Sequence, residues 1–321
     1  MSTGRPGPVV VGVDGSAASQ AAVVRAAWEA ERRGVTLLMV YGYLVPTPCL
    51  TPLAPLLDEQ ALLATAQEQL ARTAGVVRSR RPRLPITTRA VPAGGGAALI
   101  QESAGAGLVV VGSPRVGEFA GLSIGSVAAQ VMAQACCPVL VVPRTETGPG
   151  SVAEAGPVLV GVDDERHGAD GVLRFGFEEA SSRGVALVAV HVWSAAEPVV
   201  RVFGGSEPDS ARERAMTRFQ VTAEHRLGDA LAGWQERYQD VKVRQWVVHS
   251  AETARMLLDV AGAVAADLIV VGSRGRGPVT GAVLGSVSQA LIGRAAAPVA
   301  VIGPLAGPRG GDGVPVRSLR A

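Results

Sequence analysis

The segment from Leu268 to Pro304, LIVVGSRGRGPVTGAVLGSVSQALIGRAAAPVAVIGP, has a near copy from Leu108 to Pro143, LVVVGSPRVGEFAGLSIGSVAAQVMAQACCPVLVVP. In each, four apolar residues end at a glycine, Gly272 or Gly112, the mark of a strand buried on both faces. A glycine-rich stretch follows, and helical spacing resumes at Leu284, Val287 and Leu291 in the later copy. A strand running through glycines into a helix suits a phosphate, because the first helical turn has unpaired N–H groups and a partial positive charge. The spacing is Gly272, two residues, Gly275, nine residues, Gly285 and then Ser286, whose hydroxyl can either cap the helix or bond a phosphate.

The repetition extends through the chain. Val10–Asp14 returns as Leu159–Asp163 at an offset of 149, Arg33-Gly34-Val35 as Arg183-Gly184-Val185 at 150, and Gly112-Ser113 as Gly272-Ser273 at 160. A length of 321 residues therefore divides into two units of about 150, each large enough to bury a core. Aromatic residues are only 4% of a chain that is 48% hydrophobic, so the cores must be built from Val, Leu, Ile and Ala, as in parallel sheets covered by helices. In the first unit a strand over 9–13 ends at Asp14, and a helix runs from Ala17 to Arg33 with Gly34 as its stop. A strand over 35–41 and a loop of four prolines from Val45 to Pro55, able to close over a ligand, come next. A helix over 58–79, a strand over 86–91, a helix over 97–104 and the signature segment complete the unit. Five alternations of strand and helix predict an α/β fold with a doubly wound parallel sheet, because each parallel crossover needs a helix to return the chain. The expected division is residues 1–144, a Gly/Thr/Ser-rich linker over 145–157, residues 158–304, and a disordered tail over 305–321.

Both signature segments, each preceded by a VGVD strand end at Asp14 or Asp163, resemble the nucleotide-binding signature of the universal stress protein family. The resemblance covers nearly the whole chain as two tandem domains of the family's ATP-binding branch. It implies two Rossmann-like five-stranded parallel sheets of order 3-2-1-4-5, with ligand beyond the strand ends where the order reverses. It further implies an adenine nucleotide, ATP, as ligand of a stress-response regulator or sensor. By the family's contacts, Asp163 and the backbone around Val192 lie at adenine and ribose, while Gly272, Gly275, Gly285, Ser286 and Val287 line ribose and phosphates. Asp14, Gly42, Gly112, Gly125, Ser126 and Val127 are the corresponding positions of the first half. Each half departs once from the pattern: Arg115, after Pro114, stands where the second glycine belongs, and Asp163-Asp164-Glu165 replaces Asp-Gly-Ser. Family members dimerise through their fifth strand, so Val139–Val142 is expected against Val299–Ile302 as an internal pseudo-dimer, with a homodimer as the alternative. Read without the resemblance, the glycines could serve only close packing, and either aspartate could be a helix cap.

A formal charge of +2 gives no electrostatic case for nucleic acid. Lys242 is the only lysine and no Gly-Lys-Ser/Thr sequence exists, which removes the P-loop route to phosphoryl transfer. The cysteines, Cys49 and the adjacent Cys136 and Cys137, lack framework spacing and suit a reducing cytoplasm. The adjacent pair aligns with Ala296 and Ala297 and reads as small buried residues before a strand, redox sensing being the alternative. No signal pattern or membrane-length apolar run is seen, so a cytoplasmic protein without membrane contact is expected. His167, His191, His225 and His249 lie on separate elements without metal-site spacing, and His191, ending a strand, suits packing or ring stacking. Asp164 and Glu165 could hold Mg²⁺ on a triphosphate or be solvated loop charges. No catalytic set is evident, and ATP turnover is expected to be very slow. The rival readings are an ATP-using enzyme of the adenine-nucleotide α-hydrolase group and a nucleotide-free interaction protein.

Overall fold

The computed structural model describes residues 7–44, 58–113, 125–143, 156–163, 166–194, 209–273 and 284–306. The first half contains β1 (Val9–Gly12), α1 (Ala17–Arg32), β2 (Leu37–Gly42), α2 (Glu59–Arg80), β3 (Ile86–Val91), α3 (Gly95–Ser103), β4 (Leu108–Ser113), α4 (Ser126–Gln134) and β5 (Val139–Pro143). The second contains β6 (Val158–Gly161), α5 (Arg166–Arg183), β7 (Leu187–Trp193), α6 (Asp209–Arg237), β8 (Val243–His249), α7 (Thr253–Ala263), β9 (Leu268–Gly272), α8 (Ser286–Arg294) and β10 (Val299–Ile302).

Each half has the expected order 3-2-1-4-5, and the expected contact of the two fifth strands is present as direct pairing of β5 with β10, so that the two five-stranded sheets are continuous. The strands form one ten-stranded sheet, β3-β2-β1-β4-β5-β10-β9-β6-β7-β8. Every pairing is parallel except the central one, where β5 and β10 run antiparallel with Val141 opposite Val299 and Val139 opposite Val301. The cause is the apolar edge that each half would otherwise expose: residues 139–142 and 299–302 are all buried, and an unpaired apolar edge seeks a partner. At the two outer edges β3 and β8 remain partly exposed, and Arg89 and Arg244 there oppose further pairing.

The continuous apolar strands follow from burial on two faces. Val9, Val11, Leu108 and Val110 enter one core with α1 and α2, while Val10, Val109 and Val111 enter the other with α3 and α4. Leu268 and Val270 against Ile269 and Val271 repeat the alternation in the second half. Local signals fix the helices that reach the strand ends. Ser16 caps α1 by accepting from Ser19 N, and Asp58 caps α2 by accepting from Gln60 N. The matching stops of α1 and α5 are Gly34 and Gly184, with φ of 63° and 66°, a region that favours glycine. The Val45–Pro55 loop, most of the linker and the tail beyond Ala306 lie outside the described residues.

Candidate functional site

Sheet register sets the expected residues in a row at the carboxyl ends of the strands. In the second half Gly161 pairs with Val190 and Val160 with Val270, so Asp163, Val192 and Gly272 each lie two residues past a paired position on adjacent strands. In the first half Gly12 pairs with Val40 and Val11 with Val110, giving the same row of Asp14, Gly42 and Gly112.

Two of the expected glycines of the first half, Gly112 and Gly42, are required by close approach. A Cβ on Gly112 would fall 2.2 Å from the Ala18 carbonyl oxygen in the first turn of α1, and one on Gly42 would fall 2.7 Å from Ala93 O and 2.8 Å from Gly95 N. Asp14 is exposed and accepts from Ser16 N at 2.9 Å, so part of its role is to shape the turn into α1. Its own N–H donates to Ser19 Oγ at 3.2 Å. Asp163 is likewise exposed. Beside it, His191 is buried with Nδ1 2.9 Å from Val162 O, in keeping with a packing role.

Both signature helices begin in the same way. Gly125 and Gly285 are the N-caps of α4 and α8, with ψ of 144° and 149°, and neither helix has a side-chain cap. Ser126 and Ser286 are therefore the first helical residues, and their hydroxyls do not cap these helices, which resolves one of the two roles open to Ser286. Among the described residues no side chain caps the first-turn N–H groups of α4 and α8, unlike those of α1 and α2, although α3 and α7 also lack side-chain caps. In the second half Ser273 N donates to Ile302 O at 2.9 Å, and Gly285 N donates to Ser273 O at 2.8 Å. This last bond fixes the start of α8 against the end of β9, a role of Ser273 that its place beside Gly272 did not disclose. Val287 is half-buried and Ser286 exposed. Gly275, Arg115, Asp164 and Glu165 lie outside the described residues.

A cavity of about 790 Å³ flanks this row on the α5/α6 side, lined by Asp163, Asp170, His191, Arg226, Asp229 and Trp234 among others. It was not foreseen. The one available signal was the placement of Arg226, Asp229 and Gly233 at i, i+3 and i+7 on one helix face. Among the described residues no group of three or more His, Cys, Asp or Glu side chains could hold a metal ion, and no helix is long and apolar enough to cross a membrane. Cys137 is buried as expected, but Cys136 is exposed.

The geometry has counterparts in known proteins. The sequence profile of the universal stress protein family matches residues 7–143 and again residues 155–303. The chain belongs to the universal stress protein family. Universal stress protein Rv2005c of Mycobacterium tuberculosis is 35% identical over 300 residues, covering 91% of this chain and 96% of its own. A universal stress protein of Mycolicibacterium smegmatis is 35% identical over 310 residues, covering 92% and 97%. The crystal structure of a universal stress protein from Archaeoglobus fulgidus superposes with a TM-score of 0.61 at 17% identity, over 92% of this chain and 98% of that one, and so shares the fold. The tandem arrangement thus extends over nearly the full length of these relatives.

Proposed function

We propose that this universal stress protein binds an adenine nucleotide, ATP, at the strand ends of its second half and acts as a nucleotide-responsive regulator in the cytoplasm. The observation that carries the reading is the uncapped start of α8, held against the end of β9 by the Gly285–Ser273 hydrogen bond. A rigid set of open N–H donors at a helix start favours an anion without reorganisation. In this reading Gly272, Gly275, Gly285, Ser286 and Val287 cradle the phosphates and ribose. Asp163 accepts from ribose hydroxyls, and the backbone at Val192 meets the adenine edge. Asp14, Gly42, Gly112, Gly125, Ser126 and Val127 form the weaker counterpart, in which Arg115 replaces a glycine. Residues 1–144 and 158–304 are the two nucleotide-binding units. Any hydrolysis is slow, since neither a loop lysine nor an evident base is present to assist phosphoryl transfer.

Mass spectrometry of the small molecules released when freshly purified protein is denatured tests the reading. Adenine nucleotide at a substantial fraction of the protein concentration is expected. Protein that carries none, and takes up none when millimolar ATP is added, refutes it.

A further inference from the structure

Across the central seam α1 and α5 meet through buried charge. Glu29 accepts from Arg183 Nη2 at 2.9 Å, and Glu179 accepts from Arg33 Nη2 at 2.6 Å. Arg32 Nη2 bridges both carboxylates, at 2.7 Å from Glu29 and 2.8 Å from Glu179, and Nη1 of the same residue donates to Ser182. Asp267, in the turn before β9, accepts from Arg183 at 2.6 Å and lies 3.6 Å from Arg25. The Trp28 ring carries the guanidiniums of Arg25, Arg32 and Arg183 at 4.7, 5.2 and 5.1 Å from its centroid.

Only part of this cluster obeys the internal repeat. The bonds Val35 N to Ala30 O and Val185 N to Ala180 O make Glu29 and Arg33 the equivalents of Glu179 and Arg183. These four form the reciprocal pair that any two copies of either half could make. The remaining members are unequal. On the same register Arg25 is matched by Phe175, Trp28 by Glu178 and Arg32 by Ser182. Asp267 is matched by Gly107, as the equivalent bonds Gly107 N to Pro8 O and Asp267 N to Pro157 O show. Arg25 and Arg32 thus belong to the first half alone, and Asp267, which faces Arg25, to the second.

The charge count separates the possible pairings. Among the described residues four guanidiniums face three carboxylates in the fold, and Arg25 Nη2 and Arg32 Nε have no hydrogen-bond acceptor there. Two first halves joined through the same faces would bury six guanidiniums against two carboxylates, and two second halves two against four. A buried charge without a partner is costly, and unpaired charge set against the wrong partner is a means of rejecting it. We infer that the seam face of each half is an interaction surface whose fitting partner is the other half of this chain type, and that it rejects its own kind. A chain so built closes on itself, or exchanges halves with a second chain, but does not pair like with like across β5 or β10.

The test uses the full chain with a protease site placed between Pro143 and Gly156. After folding, the linker is cut, the product is mixed with a ¹⁵N-labelled cut preparation, and the pairs are weighed by native mass spectrometry. The expected result is one first half with one second half in every complex. Complexes of two first halves or two second halves, or halves that come apart as single units, overturn the inference. The variant Arg25→Phe/Arg32→Ser gives the first half the residues of the second and leaves two guanidiniums against two carboxylates in a like pair. It is expected to release pairs of first halves after cleavage, and their absence from folded variant protein would show that charge does not set the choice. The uncut-variant fold is checked by circular dichroism, and the unmutated chain decides the main point by itself.

Discussion

Glu29 of α1 is held by Arg183 of α5 across the seam of the ten-stranded sheet, with the carboxylate almost wholly buried. Burial alone would raise the pKa of Glu29, but Arg183, Arg33, Arg25 and Arg32 outweigh it and bring the carboxyl from an ordinary 4.5 to about 2. A folded-state pKa below the unfolded one stabilises the fold at pH values above the unfolded pKa, and that contribution is lost as pH falls through the folded one. Stability should therefore fall as pH drops from about 4.5 toward 2, by roughly 3 kcal/mol from this group at 1.36 kcal/mol per unit. Urea unfolding of the wild type and Glu29→Gln checks this: the variant should be less stable at neutral pH by about 3 kcal/mol, as for a broken buried pair. The gap should close toward pH 2.

Backbone contact with the first turn of α1 constrains Gly112 at the end of β4. Gly112→Ala places a Cβ against the Ala18 carbonyl, which is backbone and cannot swing away. A loss of at least about 1–3 kcal/mol is expected, as for overpacking. By contrast, a Cβ at Gly75 in α2 or Gly228 in α6 meets nothing within 4 Å, and alanine there should stabilise each helix by about 0.5–1 kcal/mol. Thermal unfolding of the three variants should give one decrease and two increases in Tm.

ATP turnover by the purified protein should lie well below about one per second, the low end of ordinary enzymes. Phosphate release measured over hours gives the rate. A value at or above that level would favour an ATP-using enzyme over a regulator.

The alternation of Val9, Val10 and Val11 between two cores was legible because a strand buried on both faces leaves a continuous apolar run, and the glycine after it marks the strand end. The start of α8 at Gly285–Ser286 was legible for the same reason, since helical spacing resumes there. Only the family resemblance suggested that β5 would find β10, since an apolar edge states its need for a partner without naming one. The seam charges were hidden. Arg25, Glu29 and Arg32 recur at i, i+4 and i+7 on α1, the pattern of a solvated face, and Asp267 and Glu179 come from distant parts of the chain. The cavity beside Asp163 was equally obscure, because its walls come from α5, β7 and α6, distant in the sequence, and not from a local motif.

The most direct test of the central claim is calorimetric titration of ATP into nucleotide-stripped wild type, Gly125→Val and Gly285→Val. Gly285 donates to Ser273 and starts α8, so a branched side chain there should displace the open N–H groups from the strand end. Wild type should bind ATP, Gly285→Val should lose the larger part of that binding, and Gly125→Val should lose less because Arg115 already departs from the glycine pattern in that half. Equal losses from the two variants would contradict the ranking of the halves, and full binding by Gly285→Val would contradict the site itself.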